Sequence, residues 1–214
     1  PKEGHLTFGL VKYEILDTTG FSESNFTEEE QMLAAKRFSK EYEFDLYFNA
    51  KKALYVRQDG EITWKTLYDL KRKIAYAYWE RKDSTLSEEN TRGFIEPLSG
   101  YISKLDSSRK FIGLIDSTDI RRNILGFDCH KVLYTYYYYG DVKTHAYVTM
   151  DLKVPSPVLF HVGVFREEGL PMEYTFPIGK SMVLIVGAIK FDPGKPNNKM
   201  FKIKLDGFKL LELD

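Results

Sequence analysis

From Leu6 to Asp17 apolar and polar side chains alternate as on an extended strand. Val11, Tyr13 and Ile15 fall on one face and Phe8 and Leu10 on the other, until Thr18-Thr19-Gly20 ends the run. Thr27-Glu28-Glu29-Glu30 then matches a capping box, with an acidic first turn that suits the helix dipole. Met32, Ala35, Phe38 and Ser39 recur at helical spacing, which predicts a helix over 27–42 with one stripe against a core. Strands are expected at 44–49 and 52–58, joined by Asn49-Ala50-Lys51 and closed by Asp59-Gly60. Trp64, Leu67, Tyr68, Lys71, Ile74, Ala75 and Tyr78 return to helical spacing and predict a second helix. The alternation of Ile74, Tyr76 and Tyr78 supports a rival strand over 73–79, and the polar segment 83–97 reads as loop.

The second half is richer in strand signals. Residues 101–105 and 110–115 read as strands around Ser107-Ser108, and 124–139 and 143–152 as a long hairpin turned at Gly140-Asp141. Tyr136, Tyr137, Tyr138 and Tyr139 put two rings on each side of that hairpin. Pro155-Ser156-Pro157 breaks the pattern, 158–165 is a short helix or an irregular crossing, and Gly169-Leu170-Pro171 is a turn before a strand at 173–176. In 182–190 both faces are apolar, with Val183, Ile185 and Ile189 on one and Met182, Leu184, Val186 and Ala188 on the other, so this strand should be covered on both sides. A loop from Pro193 to Asn198 precedes strands at 201–205 and 207–213. The pattern therefore predicts an α+β, mainly β fold: a curled antiparallel sheet of about ten strands, with one or two helices packed on its concave face. There is no βαβ alternation and no repeat period, which disfavours Rossmann, TIM-barrel and solenoid architectures.

Composition narrows the class. A length of 214 residues fits a single domain over 1–214, and 43% hydrophobic residues suffice for a sizeable core. Lys+Arg and Asp+Glu are both 31, which argues against nucleic acid as the main partner. The longest apolar run, Met182 to Ile189, is far short of the roughly 20 residues of a membrane-spanning helix. The one cysteine, Cys129, excludes an internal disulfide framework and a multi-Cys zinc site. The chain opens Pro1-Lys2-Glu3-Gly4 with neither Met nor a charged-then-apolar leader, as expected where a leader has been removed or trimmed.

Reaction chemistry is sparse. Cys129 and His130 are strand neighbours that point to opposite faces, so His145 across the hairpin is the better geometric partner for the thiol. A buried cysteine acting as a small hydrophobe is the plainer reading. His5, His130, His145 and His161 are scattered, and no HExxH occurs, so no metal and no cofactor is expected. Glu28-Glu29-Glu30 reads as a helix start and Glu167-Glu168 as a solvated turn. GxSxG, P-loop and GxGxxG patterns are absent, and the expectation is a protein that is not an enzyme. The aromatic load of 15 Tyr, 15 Phe and 2 Trp remains. A Tyr-rich sheet can stack on sugars, hold a lipidic chain along a groove, or form a core with wet edges. Tyr134, Tyr136, Tyr137, Tyr138 and Tyr147 are the candidate ligand contacts.

Ile124-Leu125-Gly126-Phe127-Asp128-Cys129-His130-Lys131 resembles the I-x-G-[aromatic]-x-C-x-K signature of the GLPGLI family and a related domain of unknown function, small envelope proteins of Gram-negative bacteria. Ala146-Tyr147-Val148-Thr149-Met150-Asp151-Leu152 is similar to their A-W-[apolar]-T-x-[D/E]-[apolar] strand, with Tyr147 in the Trp place. Gly169-Leu170-Pro171 resembles their Gly-Leu-Pro element, and Gly207-Phe208-Lys209 their final strand; the likeness spans roughly residues 110–214. It implies a fold like the LolA/LolB lipoprotein carriers, an incomplete antiparallel barrel that shelters an apolar cavity. It also implies a periplasmic or outer-membrane-associated protein, with a hydrophobic small molecule or acyl chain as ligand. A lipid anchor on a removed upstream Cys and an envelope protein partner belong to the same expectation. The alternative is a carbohydrate-binding or structural interaction module of the envelope.

Overall fold

The computed structural model describes residues 3–15, 29, 33, 36–37, 43–81, 92–97, 112–113, 116–136, 142–152, 169–178, 182–203 and 208–210. They form thirteen strands: β1 (Gly4–Ile15), β2 (Phe44–Phe48), β3 (Lys52–Asp59), β4 (Ile62–Asp69), β5 (Ile74–Arg81), β6 (Arg92–Pro97), β7 (Ile112–Gly113), β8 (Ser117–Ile124), β9 (Phe127–Tyr136), β10 (Val142–Thr149), β11 (Leu170–Ile178), β12 (Met182–Pro193) and β13 (Phe208–Leu210). All belong to one sheet, ordered β13-β6-β5-β4-β3-β2-β1-β12-β11-β10-β9-β7, with β8 also paired to β9. Two meanders, β1 to β6 and β8 to β12, meet where β12 returns to pair antiparallel with β1. Among the described residues the sheet is open, with β13 at one edge and β7 and β8 at the other, and β13 on β6 is its one parallel pairing.

One face carries the main core. Leu6, Leu46, Ala53, Tyr68, Ala75, Ala146, Val148, Met172, Tyr174, Leu184 and Val186 are fully buried there in a single cluster that draws on both meanders. Its rings interlock: Phe8 stacks on Phe44 at 4.4 Å between centroids, and Phe127 meets Phe191 edge-on at 4.9 Å. Phe127 and Phe191 sit three strands apart, roughly 14 Å on a flat sheet. The reach of two rings and a curl of the sheet toward this face together close that gap. The core therefore lines the inner, concave side.

The outer face is covered in part as well. Leu54 and Leu67 pack with Phe201, which is delivered by a short 3-10 helix at Asn198–Phe201 whose N-cap Asn197 accepts from Lys199 N–H. Val183 and Ile185 are each 3% exposed opposite the fully buried Leu184 and Val186, as expected for a strand apolar on both sides. Ile189 departs from that pattern: it is 54% exposed, beyond the covered stretch.

Several expectations are corrected. The predicted second helix is the hairpin β4–β5, turned at residues 70–73 with Lys73 at φ 58°. Two-sided burial produced the helical spacing, since Leu67 points to the outer cluster and its neighbour Tyr68 to the inner core. In β1, the register shift at Leu10/Lys12 leaves Val11 as the extra, exposed residue and turns Tyr13 to the same inner core as Phe8 and Leu10, so the two expected faces do not hold; the shift at Thr7/Phe8 places its extra residue, Ile189, in β12. The expected loop 83–97 contains β6, and the expected strand at 201–205 begins as the 3-10 helix. The predicted strand 124–139 starts with a tight turn: Leu125 at φ 52° and Gly126 at φ 86° join β8 to β9. Two positive φ values mark a type I′ hairpin turn, which ordinarily carries Asn or Gly at its first central position, so Leu125 concealed it. Pro171, expected in a turn, lies inside β11.

Of the predicted helix 27–42, Glu29, Leu33, Lys36 and Arg37 are described; they have helical backbone and are exposed. The stripe residues Met32, Ala35, Phe38 and Ser39 lie outside the described residues, as do the segments 101–105 and 158–165 and the turn Gly140-Asp141.

Candidate functional site

The structure separates Tyr134 and Tyr147, the two predicted tyrosines whose side chains it describes. Tyr134, on β9, is 3% exposed on the inner face, and its hydroxyl donates across β10 to the Thr175 carbonyl. That bond supplies the partner a buried phenol requires and makes Tyr134 a brace between β9 and β11. Tyr147, on β10, lies between Ala146 and Val148, both fully buried inward, and so points outward. Tyr136 ends β9, and Tyr137 and Tyr138 lie outside the described residues. Tyr134 and Tyr147 therefore stand on opposite faces and cannot contact one ligand.

Around Tyr147 the outer face holds a polar cluster. The Arg122 guanidinium lies 5.2 Å from the Tyr147 ring centre and donates to Glu173 Oε1 at 2.8 Å. The Glu173 side chain is 10% exposed, and Arg122 offsets the cost of burying that carboxylate. His145 meets Tyr147 edge-on at 5.8 Å. Burial first, then the charge of Lys131, push the His145 pKa down, so the ring is neutral at pH 7. Each polar group in the cluster answers another, and the cluster ties β8, β10 and β11 together.

Cys129 is fully buried in the inner core, its thiol directed at the Phe127 carbonyl, 3.6 Å away. Burial pushes its pKa up to about 11, which suppresses the thiolate. The expected pairing with His145 does not form: His145 sits opposite Leu133 in register, four residues along β9 from Cys129.

A second polar group bridges the seam between the meanders. His5 Nε2 lies 2.7 Å from Asp45 Oδ1, Nδ1 lies 3.4 Å from Asp192 Oδ2, and the ring stacks on Tyr47 at 4.1 Å. Thr7 Oγ1 stands 3.4 Å from His5 Nε2 but donates to Asp45 at 2.9 Å. Its proton is directed to a carboxylate instead of the imidazole, so this trio links β12, β1 and β2 without activating a nucleophile. Among the described residues no three His, Cys, Asp or Glu side chains are grouped to hold a metal ion, and no helix is long and apolar enough to cross a membrane.

The arrangement best suited to binding lies at one end of the inner face, where the helical spacing over 64–78 conceals it in the sequence. In register, Arg57 on β3 pairs with Trp64 on β4, and Trp64 pairs with Trp79 on β5. These three share a face with Tyr55, Thr66 and Ala77 one row further in, and Tyr55 and Ala77 pack against the main core. The indole rings lie 5.4 Å apart at 41°, and Trp64 is 37% exposed while Trp79 is half-buried. An apolar wall thus runs from the core to a rim where aromatic surface meets solvent. The sequence signal that could have found this rim is the strand alternation Trp64, Thr66, Tyr68, set against Ala75, Ala77, Trp79 across a four-residue turn. No protein-family model matches the chain, and no curated protein matches it either.

Proposed function

We propose that this is a non-catalytic binding protein of the cell envelope, periplasmic or outer-membrane-associated, that holds a hydrophobic or lipidic ligand against the inner face of its open sheet. The observation that carries the reading is the continuous apolar wall that ends in the half-exposed Trp64–Trp79 pair. The likeness of residues 110–214 to envelope proteins with a LolA/LolB-like fold points the same way. Aromatic rings at a rim favour acyl chains, because they offer large apolar area at little conformational cost while their N–H groups stay in contact with water. A fluorescent fatty acid should bind the purified chain and be displaced by unlabelled lipid, and Trp64→Ala with Trp79→Ala should weaken that binding about tenfold or more. Native mass spectrometry should show the complex. Absence of any displacement overturns the reading. Carbohydrate binding would use the same indole pair, and glycan-array binding lost in Trp64→Ala, with no acyl binding, would select that alternative.

A further inference from the structure

Charge is unevenly placed along β2 to β5, although the chain as a whole is balanced. The strand tips at one end hold cations: Lys51 in the β2–β3 turn and Lys71-Arg72-Lys73 in the β4–β5 turn, all exposed. The β3–β4 turn at the other end is Asp59-Gly60-Glu61. We infer that the basic end is a docking surface for an anionic phospholipid bilayer. This goes beyond the ligand proposed above and does not depend on it.

Three segments distant in sequence build this end into one surface. Lys52 pairs with Asp69 in register, and Leu70 N–H donates to the Lys51 carbonyl at 2.9 Å, so the two hairpin turns lie side by side. The segment after β12 joins them. Gly194 N–H donates to the Glu3 carbonyl at 3.2 Å, and Phe201 packs on Leu54 and Leu67, each two residues from the Lys52–Asp69 rung. Phe201 thereby brings its exposed neighbours Lys199, Met200 and Lys202 to the turns. The carboxylates nearby do not neutralise these cations. The Asp69 side chain is 8% exposed and accepts Arg72 N–H at 2.9 Å, with Arg72 Nε 3.9 Å away. Among the described residues that is the one ion pair made by Lys51, Lys71, Arg72, Lys73, Lys199 and Lys202. Asp192 is held by Lys190 at 2.8 Å and by His5, and Glu3 is half-buried.

The tips span roughly 20 Å from β5 to β12, enough to face several lipid head groups at once. Each basic side chain held at an anionic bilayer strengthens binding about fivefold, and salt weakens the attraction. Met200, 36% exposed, decides between a bilayer and a polyanion such as nucleic acid. An apolar side chain amid cations gains from the boundary between head groups and acyl chains and gains nothing from phosphate alone. The surface also orients the molecule. Trp64 lies five residues back along β4 from Asp69, roughly 17 Å, so a docked chain holds the Trp64–Trp79 pair clear of the bilayer.

The full chain should sediment with vesicles of equal parts phosphatidylcholine and phosphatidylglycerol, and not with phosphatidylcholine alone. Lys71→Gln, Arg72→Gln and Lys73→Gln together should weaken binding about a hundredfold. Lys12→Gln, Lys131→Gln and Lys143→Gln together remove as much charge elsewhere and should leave binding within about twofold. Circular dichroism melts establish that both triple variants fold. A polarity-sensitive dye on Met200→Cys should shift to the blue on the anionic vesicles, and the same dye on Glu61→Cys should not. Cys129 is fully buried, so the label goes to the introduced thiol. Failure to sediment with the anionic vesicles, equal binding to the neutral ones, equal losses in the two triple variants, or the reverse pattern of dye shifts overturns the inference. So does release from the vesicles by inorganic phosphate at constant ionic strength, which marks a site for the free ion, or binding of duplex DNA without binding of vesicles.

Discussion

Gly169 enters β11 at φ 111°, a backbone conformation that is close to glycine-only. A Cβ built there lies 2.2 Å from the Thr149 carbonyl oxygen, 2.9 Å from its carbon and 3.2 Å from Met150 Sδ. The first two atoms are backbone at the end of β10, where Thr149 is fully buried and pairs with Leu170. Gly169→Ala must therefore push the two strands apart by about 1 Å to reach ordinary contact distance, or abandon the rung. The strained φ costs about 1–3 kcal/mol, and one weakened ladder bond costs about 1 kcal/mol more. Displacing the fully buried Leu170 adds to both, for a total of about 4 kcal/mol. Gly126→Ala is the control. Its φ of 86° is also positive, but a Cβ there has nothing within 4 Å, so only the conformational cost of about 1 kcal/mol applies. In urea unfolding followed by tryptophan fluorescence, with m of roughly 3 kcal/mol/M, the midpoints should fall by about 1.3 M and about 0.3 M respectively. Equal midpoints for the two variants would refute the steric argument and leave positive φ as the whole effect.

Three further outcomes follow from the fold. Leu125→Asn should stabilise the chain by about 1 kcal/mol in the same assay, because Asn tolerates the left-handed φ of 52° and Leu125 is 40% exposed. Ile185→Ala should cost about 3 kcal/mol, comparable with Leu184→Ala on the other face; a loss below about 1 kcal/mol would show that the outer face is not a packed one. His145 takes up its proton at lower pH in the fold than the ordinary 6.5 of the unfolded chain, since burial and Lys131 oppose the charge. The unfolded state therefore binds more protons just below pH 6.5, and stability falls as pH drops through that window toward the folded value. His145→Gln should flatten this acid dependence between pH 7.5 and 5, measured as Tm, and an unchanged profile would remove His145 as its cause.

Local chemistry made much of the sheet legible. The Asn49 turn is one case: its side chain accepts from both Lys51 and Lys52 N–H, so the sequence of the turn itself dictates the β2–β3 hairpin. The two-faced apolar run in β12 is another, because continuous hydrophobicity over strand length implies cover on both sides. Errors arose where two causes give the same pattern. Leu67 and Tyr68 are adjacent and both buried, on opposite faces, and that mimics one stripe of a helix. The extra residue of a bulge changes the inward side of a strand with no mark in the residue types, as β1 shows at Val11.

The candidate site was less legible than the fold, for the same reason. Tyr134 and Tyr147 are alike as residues, and only the pairing of β9 with β10 sends one inward and the other out. Trp64 and Trp79 meet because the β4–β5 hairpin folds at residues 70–73, and Arg57 joins them through the next register down the sheet. Turn residues, alternation and apolar runs act over a few residues, so the chain alone determined that this is an antiparallel, mainly β protein with a strand buried on both faces. The return of β12 to β1, the parallel docking of β13 and the assembly of the Arg57–Trp64–Trp79 rim depend on contacts between distant segments, and their energies become available only when the whole sheet has formed.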